Sequence, residues 1–112
     1  MTTTLDVPVR LIVELLVGRG YEQIAGMTGG QRLDSASIEA AIRNYGRTLV
    51  MPPDTAFSQL DVVPVKNARP PRWSVRMNLW TIEEGQSDLS IELTLTEMGE
   101  DYIVELDDIH VL

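Results

Sequence analysis

Up to Tyr45 the apolar residues recur at helical spacing, and beyond Thr48 they alternate. Val9, Ile12, Val13 and Leu16 fall on one stripe, which predicts a helix starting near Asp6, with the Asp6 carboxylate capping exposed amides and Pro8 tolerated in the first turn. Gly18 and Gly20 end it, and Tyr21 to Met27 reads as a short second helix closed by Gly29-Gly30. The third helix carries the fullest set of signals. Asp34 is the cap, Leu33 is placed to pack on Ile38 as a hydrophobic staple, Ile38, Ala41, Ile42 and Tyr45 form the buried face, and Gly46 stands where a left-handed terminator belongs.

Thr48 to Met51 then reads as extended, stopped by Pro52-Pro53. Leu60 to Val65 reads as a strand whose Pro64 confines it to the sheet margin, because proline cannot donate to a ladder. Arg72 to Ile82, Leu89 to Thr96 and Asp101 to Val111 complete a meander, and a four-residue loop at Glu97 to Glu100 would pair Leu95 with Tyr102, Leu93 with Val104 and Ile91 with Leu106. Along the strand from Arg72, Trp73, Val75, Met77 and Leu79 share one parity, while Trp80 and Ile82 have the other. A bulge placing Leu79 and Trp80 together opposite Ile91 would bring both to the core; without it Trp80 emerges on the outer face. The expected fold is α+β, with two to three N-terminal helices packed on a four-stranded antiparallel meander, cystatin-like or NTF2-like in outline, as a single domain over residues 1–112.

Composition adds exclusions. With 44% apolar and 23% charged residues the chain is neither disordered nor fibrous, and the absence of cysteine removes disulfides, thiolate catalysis and Cys-ligated zinc. Met1 to Asp6 lacks the basic stretch of a secretory signal, and the most apolar run, Leu11 to Val17, is interrupted by Glu14 and too short to span a bilayer, so the expected location is the cytoplasm. The net charge is −8, unevenly distributed. Residues 1–76 hold all nine Lys and Arg against seven acids, whereas residues 77–112 hold ten acids and no Lys or Arg. That block repels phosphate backbones and anionic membranes, which leaves cationic proteins, metal ions and basic peptides as possible partners.

The segment Leu79-Trp80-Thr81-Ile82-Glu83-Glu84-Gly85-Gln86-Ser87-Asp88-Leu89 resembles a motif of the form L-W-T-x-E-E-G-x-S-D-L in a family of small bacterial domains of unknown function. Tyr45-Gly46-Arg47-Thr48-Leu49-Val50 with Pro52-Pro53, and the terminal Ile109-His110-Val111-Leu112, extend the resemblance from about Tyr21 onward. It implies no activity. Physically, Glu83 to Asp88 reads as a hairpin loop in which Gly85 supplies the unusual backbone angle and Ser87 or Asp88 caps exposed amides. Its carboxylates could also face a hard cation, but their spacing is not that of the twelve-residue calcium loop.

Two functional expectations follow. The first is a non-catalytic interaction domain, in concrete form an immunity-type inhibitor covering the basic active site of a toxin, with Trp80, Glu83, Glu84, Asp88, Glu92, Glu105, Asp107 and Asp108 meeting the partner. In the register above Glu92 faces Glu105, a repulsion that either Arg76 on the neighbouring strand or a basic side chain from another protein would offset. The alternative is an NTF2-like pocket protein or small enzyme with an apolar cavity lined by Tyr45, Trp73, Trp80, Tyr102 and His110. His110, the only histidine, has Asp107 and Asp108 nearby as general-base partners but no accompanying nucleophile motif. No metal, cofactor or catalytic residue is expected, and the chain is expected to be a monomer or a homodimer formed through the edge strand near Pro64.

Overall fold

A computed structural model describes residues 4–30 and 32–111. Four helices, α1 (Asp6–Val17), α2 (Tyr21–Thr28), α3 (Ser35–Tyr45) and the single turn α4 (Asp54–Phe57), precede or punctuate five strands: β1 (Leu49–Val50), β2 (Asp61–Pro64), β3 (Arg72–Thr81), β4 (Gly85–Met98) and β5 (Asp101–Val111). The fold is α+β, and every strand pair is antiparallel.

The helices end much as their sequences dictate. The Asp34 carboxylate accepts from the Ser37 amide at 2.8 Å, and Gly46 terminates α3 in the left-handed conformation. That backbone bond also holds the Asp34 carboxyl below its ordinary value. At α1 the expectation is corrected: Leu5 occupies the capping position, and Asp6 sits inside the first turn, where its negative charge favours the helix start without a cap bond. The turn α4 was not expected. It begins directly after Pro53 and buries Phe57, over whose ring the Arg10 guanidinium lies at 4.2 Å.

The sheet is four strands wide in the order β1-β3-β4-β5, with β2 sharing the β1 edge of β3. Pro64 lies on that margin, as its missing donor requires. One core joins the helices to the inner face: Val9, Ile12, Val13 and Leu16 from α1, Ile24 from α2 and Ile38 from α3 meet Val75, Leu79, Ile91, Leu93, Leu95, Val104 and Leu106.

Three register expectations are corrected. The β4–β5 turn contains two residues, Gly99 and Glu100, so Leu95 pairs with Val104, Leu93 with Leu106 and Ile91 with Ile109. Gly99, at φ +62°, supplies the left-handed first position that such a tight hairpin needs. Asp107 is then an extra residue between Leu106 and Asp108, a bulge that restores the apolar phase for Ile109. The bulge near Trp80 exists, but its extra residues are on β4: Ser87, Asp88 and Leu89 lie opposite Leu79 alone. β3 therefore keeps a strict alternation, Trp80 points outward, and Ile82 is 70% exposed.

Candidate functional site

Alternation sends the even-numbered residues of β3 and β4 to the face opposite the helices. The register aligns Asp61, Arg76, Glu92 and Asp108 in one row across four strands. The row on one side is Ser74, Thr94 and Glu105; on the other it is Asn78, Ser90 and His110. Glu92 thus faces Asp108, not Glu105. Arg76 stands beside Glu92 as expected, but its guanidinium pairs with Asp61 at 3.1 Å. Glu92, half-buried, has no hydrogen bond or ion pair among the described residues, and neither does Glu105.

The β5 bulge concentrates charge. The Asp107 carboxylate accepts a short bond from the Thr94 hydroxyl through Oδ2, while the Arg32 Nε lies 3.3 Å from Oδ1 outside hydrogen-bonding geometry. Asp108 holds the His110 Nδ1 at 2.8 Å through Oδ2 and accepts from the Ile109 amide at 2.9 Å through Oδ1. Donor atoms of Glu92, Asp108 and His110 all lie within 4.8 Å of one another. The Ser90 hydroxyl turns to the His110 backbone carbonyl at 3.5 Å and not to the ring, so it does not complete a catalytic triad with the His–Asp pair. Among the described residues, three arginines reach this half of the face: Arg32 at Asp107, Arg76 beside Glu92 in register, and Arg72, whose Nε donates to the Thr96 hydroxyl at 3.2 Å.

Glu83 and Glu84 belong to a different arrangement. They occupy the β3–β4 turn, closed by Gly85 at φ +71°, a conformation that lets a three-residue loop rejoin the ladder. Glu83 accepts from the Thr48 amide at 2.9 Å and from its hydroxyl at 3.1 Å, and the Ile82 amide returns a bond to the Thr48 carbonyl at 2.9 Å. The Thr48 amide, with help from nearby Arg47, holds the Glu83 carboxyl below its ordinary value. Glu84 accepts from the Tyr45 hydroxyl at 2.9 Å and from the Thr81 hydroxyl at 3.1 Å. Desolvation and the Glu84 carboxylate together push the Tyr45 phenol up. Ser87 donates to the Leu79 carbonyl at 2.7 Å and accepts from the Leu89 amide at 3.2 Å, which satisfies the backbone that the β4 bulge leaves unpaired. These acids tie the end of α3 and the start of β1 to the sheet while both remain exposed.

The five aromatic and histidine residues expected around one pocket are dispersed. Trp73 and Tyr102 make an edge-to-face pair at 5.8 Å and 80° against the core near the ends of their strands. Tyr45 lies at the opposite end, beside the β3–β4 turn, and His110 is on the outer face. Trp80 lines an open groove of about 370 Å³ that none of the other four reaches.

The sequence matches the model of a family described as "Domain of unknown function (DUF7668)" over residues 13–112, and the chain belongs to that family. No curated protein and no solved structure matches it. Of the stretches that carried the resemblance, the Tyr45 to Val50 segment and the Glu83-Glu84-Gly85 turn bond to each other in space; Leu112 lies outside the described residues. No described helix is long and apolar enough to cross a membrane.

Proposed function

We propose that this domain is a non-catalytic interaction module whose acidic half of the outer sheet face, built on β4 and β5, docks a cationic protein. The observation that carries the reading is the Glu92–Asp108 register pair. Like charges directly opposite on a sheet are destabilising, yet the nearest arginine in register pairs elsewhere. A basic side chain from a partner would supply the missing counter-charge, and an acidic field of this kind accelerates encounter and rejects partners of like sign. The concrete form is an immunity-type inhibitor, a small acidic protein covering the basic active site of a toxin such as a nuclease.

The test uses the immobilised chain beside a triple variant, Glu92→Lys, Glu105→Lys, Asp108→Lys. A specific basic partner should be retained at low ionic strength, released as salt is raised, and lost on the variant. Partners held equally by both proteins, or held without salt dependence, would remove the reading.

A further inference from the structure

The sheet lacks one rung. β2 covers β3 from Trp73 to Arg76 and β1 covers Trp80 and Thr81, both along the same edge, so Met77, Asn78 and Leu79 have no strand beside them there. The direction of each backbone group is set by bonds at the ends of β3. Toward the β1–β2 edge, the Arg72 carbonyl accepts from the Val65 amide at 2.8 Å and the Ile82 amide donates to Thr48. Toward β4, the Pro71 carbonyl accepts from the Glu97 amide and the Leu79 carbonyl from the Ser87 hydroxyl. These directions alternate residue by residue along an antiparallel strand, so the even-numbered residues of β3 turn both N–H and C=O toward the β1–β2 edge.

Arg76 and Trp80 face Asp61 and Val50 on that edge. Asn78 lies between them, and among the described residues neither its N–H nor its carbonyl meets a partner; only its side chain is engaged, donating to the Ser87 carbonyl at 2.8 Å. The gap is the groove of about 370 Å³, walled by Thr55, Gln59, Asp61, Trp80 and Gln86. Trp80 is half-buried yet packs outside the core cluster, so its ring is a wall of this groove.

A donor and an acceptor aimed the same way from one residue match one residue of an extended peptide, the pairing used in recognition by strand addition. Asp61 and Arg76 neutralise each other at 3.1 Å, so the groove selects neither charge. We propose that this gap binds one residue of an extended peptide, which completes the ladder at Asn78 and lays an apolar side chain on Trp80. The site is on the edge away from β5 and is independent of the acidic surface.

The experiment follows backbone amides of the full ¹⁵N-labelled chain. Without peptide, the Asn78 amide should exchange at least about tenfold faster than those of Met77 and Trp80, which lie in paired ladders. Titration with Ac-Ala-Leu-Ala-NH₂ should shift the Asn78 amide and the Trp80 indole and slow Asn78 exchange. The same peptide carrying N-methyl-leucine, unable to donate, should bind about tenfold more weakly, and Trp80→Ala should weaken the parent peptide while leaving the other amide resonances in place. Exchange at Asn78 as slow as at Trp80, equal binding of the two peptides, or no shift at Asn78 up to about 10 mM peptide each overturns the proposal.

Discussion

Ser87→Ala tests whether one hydroxyl holds the β4 bulge together. Ser87 is 3% exposed, and its Oγ bonds to both the Leu79 carbonyl and the Leu89 amide. Alanine fits the same space but strands an acceptor and a donor between two core leucines that are 1% and 2% exposed. An unsatisfied buried backbone group costs about 1–3 kcal/mol, so the pair should cost about 2–4 kcal/mol, a large share of the roughly 5–15 kcal/mol that holds a domain of this size. In urea, with a slope of about 1.5 kcal/mol/M, the unfolding midpoint should fall by between about 1 and 3 M. Ser90→Ala is the control. Ser90 is buried just as deeply, but its hydroxyl makes a single long contact of 3.5 Å, so its loss should stay below about 1 kcal/mol. A Ser87→Ala protein within about 0.5 kcal/mol of wild type, or no less stable than Ser90→Ala, would refute the assignment of the bulge to this hydroxyl.

Three further outcomes are expected. Glu83 has a folded pKa below its ordinary value of 4.5, so its contribution is present above that value and lost as pH falls through the lower folded value; Glu83→Gln should flatten the dependence of urea stability on pH below about 4.5. Trp73→Ala, which removes a ring packed against Tyr102 and the core, should cost about 2–4 kcal/mol, and Trp80→Ala under about 1, as read by thermal or urea unfolding; equal losses would place Trp80 in the core after all. Because Glu92 faces Asp108 without a counter-ion, Glu92→Gln should leave stability unchanged or raise it by a few tenths of a kcal/mol, and a clear loss would mean that Glu92 has a structural partner.

Much of the fold was legible because its signals are local. Asp34 and Gly46 bracket α3 where their chemistry puts them, and Pro64 reports a margin from its missing donor alone. Register was less legible, because a bulge is a local insertion whose cost is set by neighbours on another strand. A four-residue turn at Glu97 to Glu100 keeps a single apolar phase through β5, whereas the real strand changes phase at Asp107, where the part-buried Thr94–Asp107 bond marks the place. The Trp80–Ile82 parity change is a true sign of irregularity, but it lies next to the extra residues and not within them, so parity alone points to β3 where the bulge is on β4. Phe57 was the available signal for α4, an aromatic three residues beyond a helix-starting Pro53-Asp54. The unpaired rung at Asn78 had no sequence signal, since it arises from where two other strands stop.

The acidic third divides by the work each carboxylate does in the folded chain. Glu83 and Glu84 accept from Thr48, Tyr45 and Thr81, so removing them would loosen the junction of helices and sheet, and their presence in a motif needs no partner to explain it. Asp107 is held by Thr94 and lies beside Arg32. Among the described residues Glu92 and Glu105 have no hydrogen bond or ion pair, and Asp108 meets His110 and an adjacent amide. A charge retained for folding should be matched by a donor inside the chain, whereas these project in adjacent rows from one sheet surface while the arginine nearest to them pairs in the other direction. Net charge alone would be met by acids placed anywhere on the surface. Their alignment across two strands is what solubility does not require and what the proposed docking of a basic surface would use.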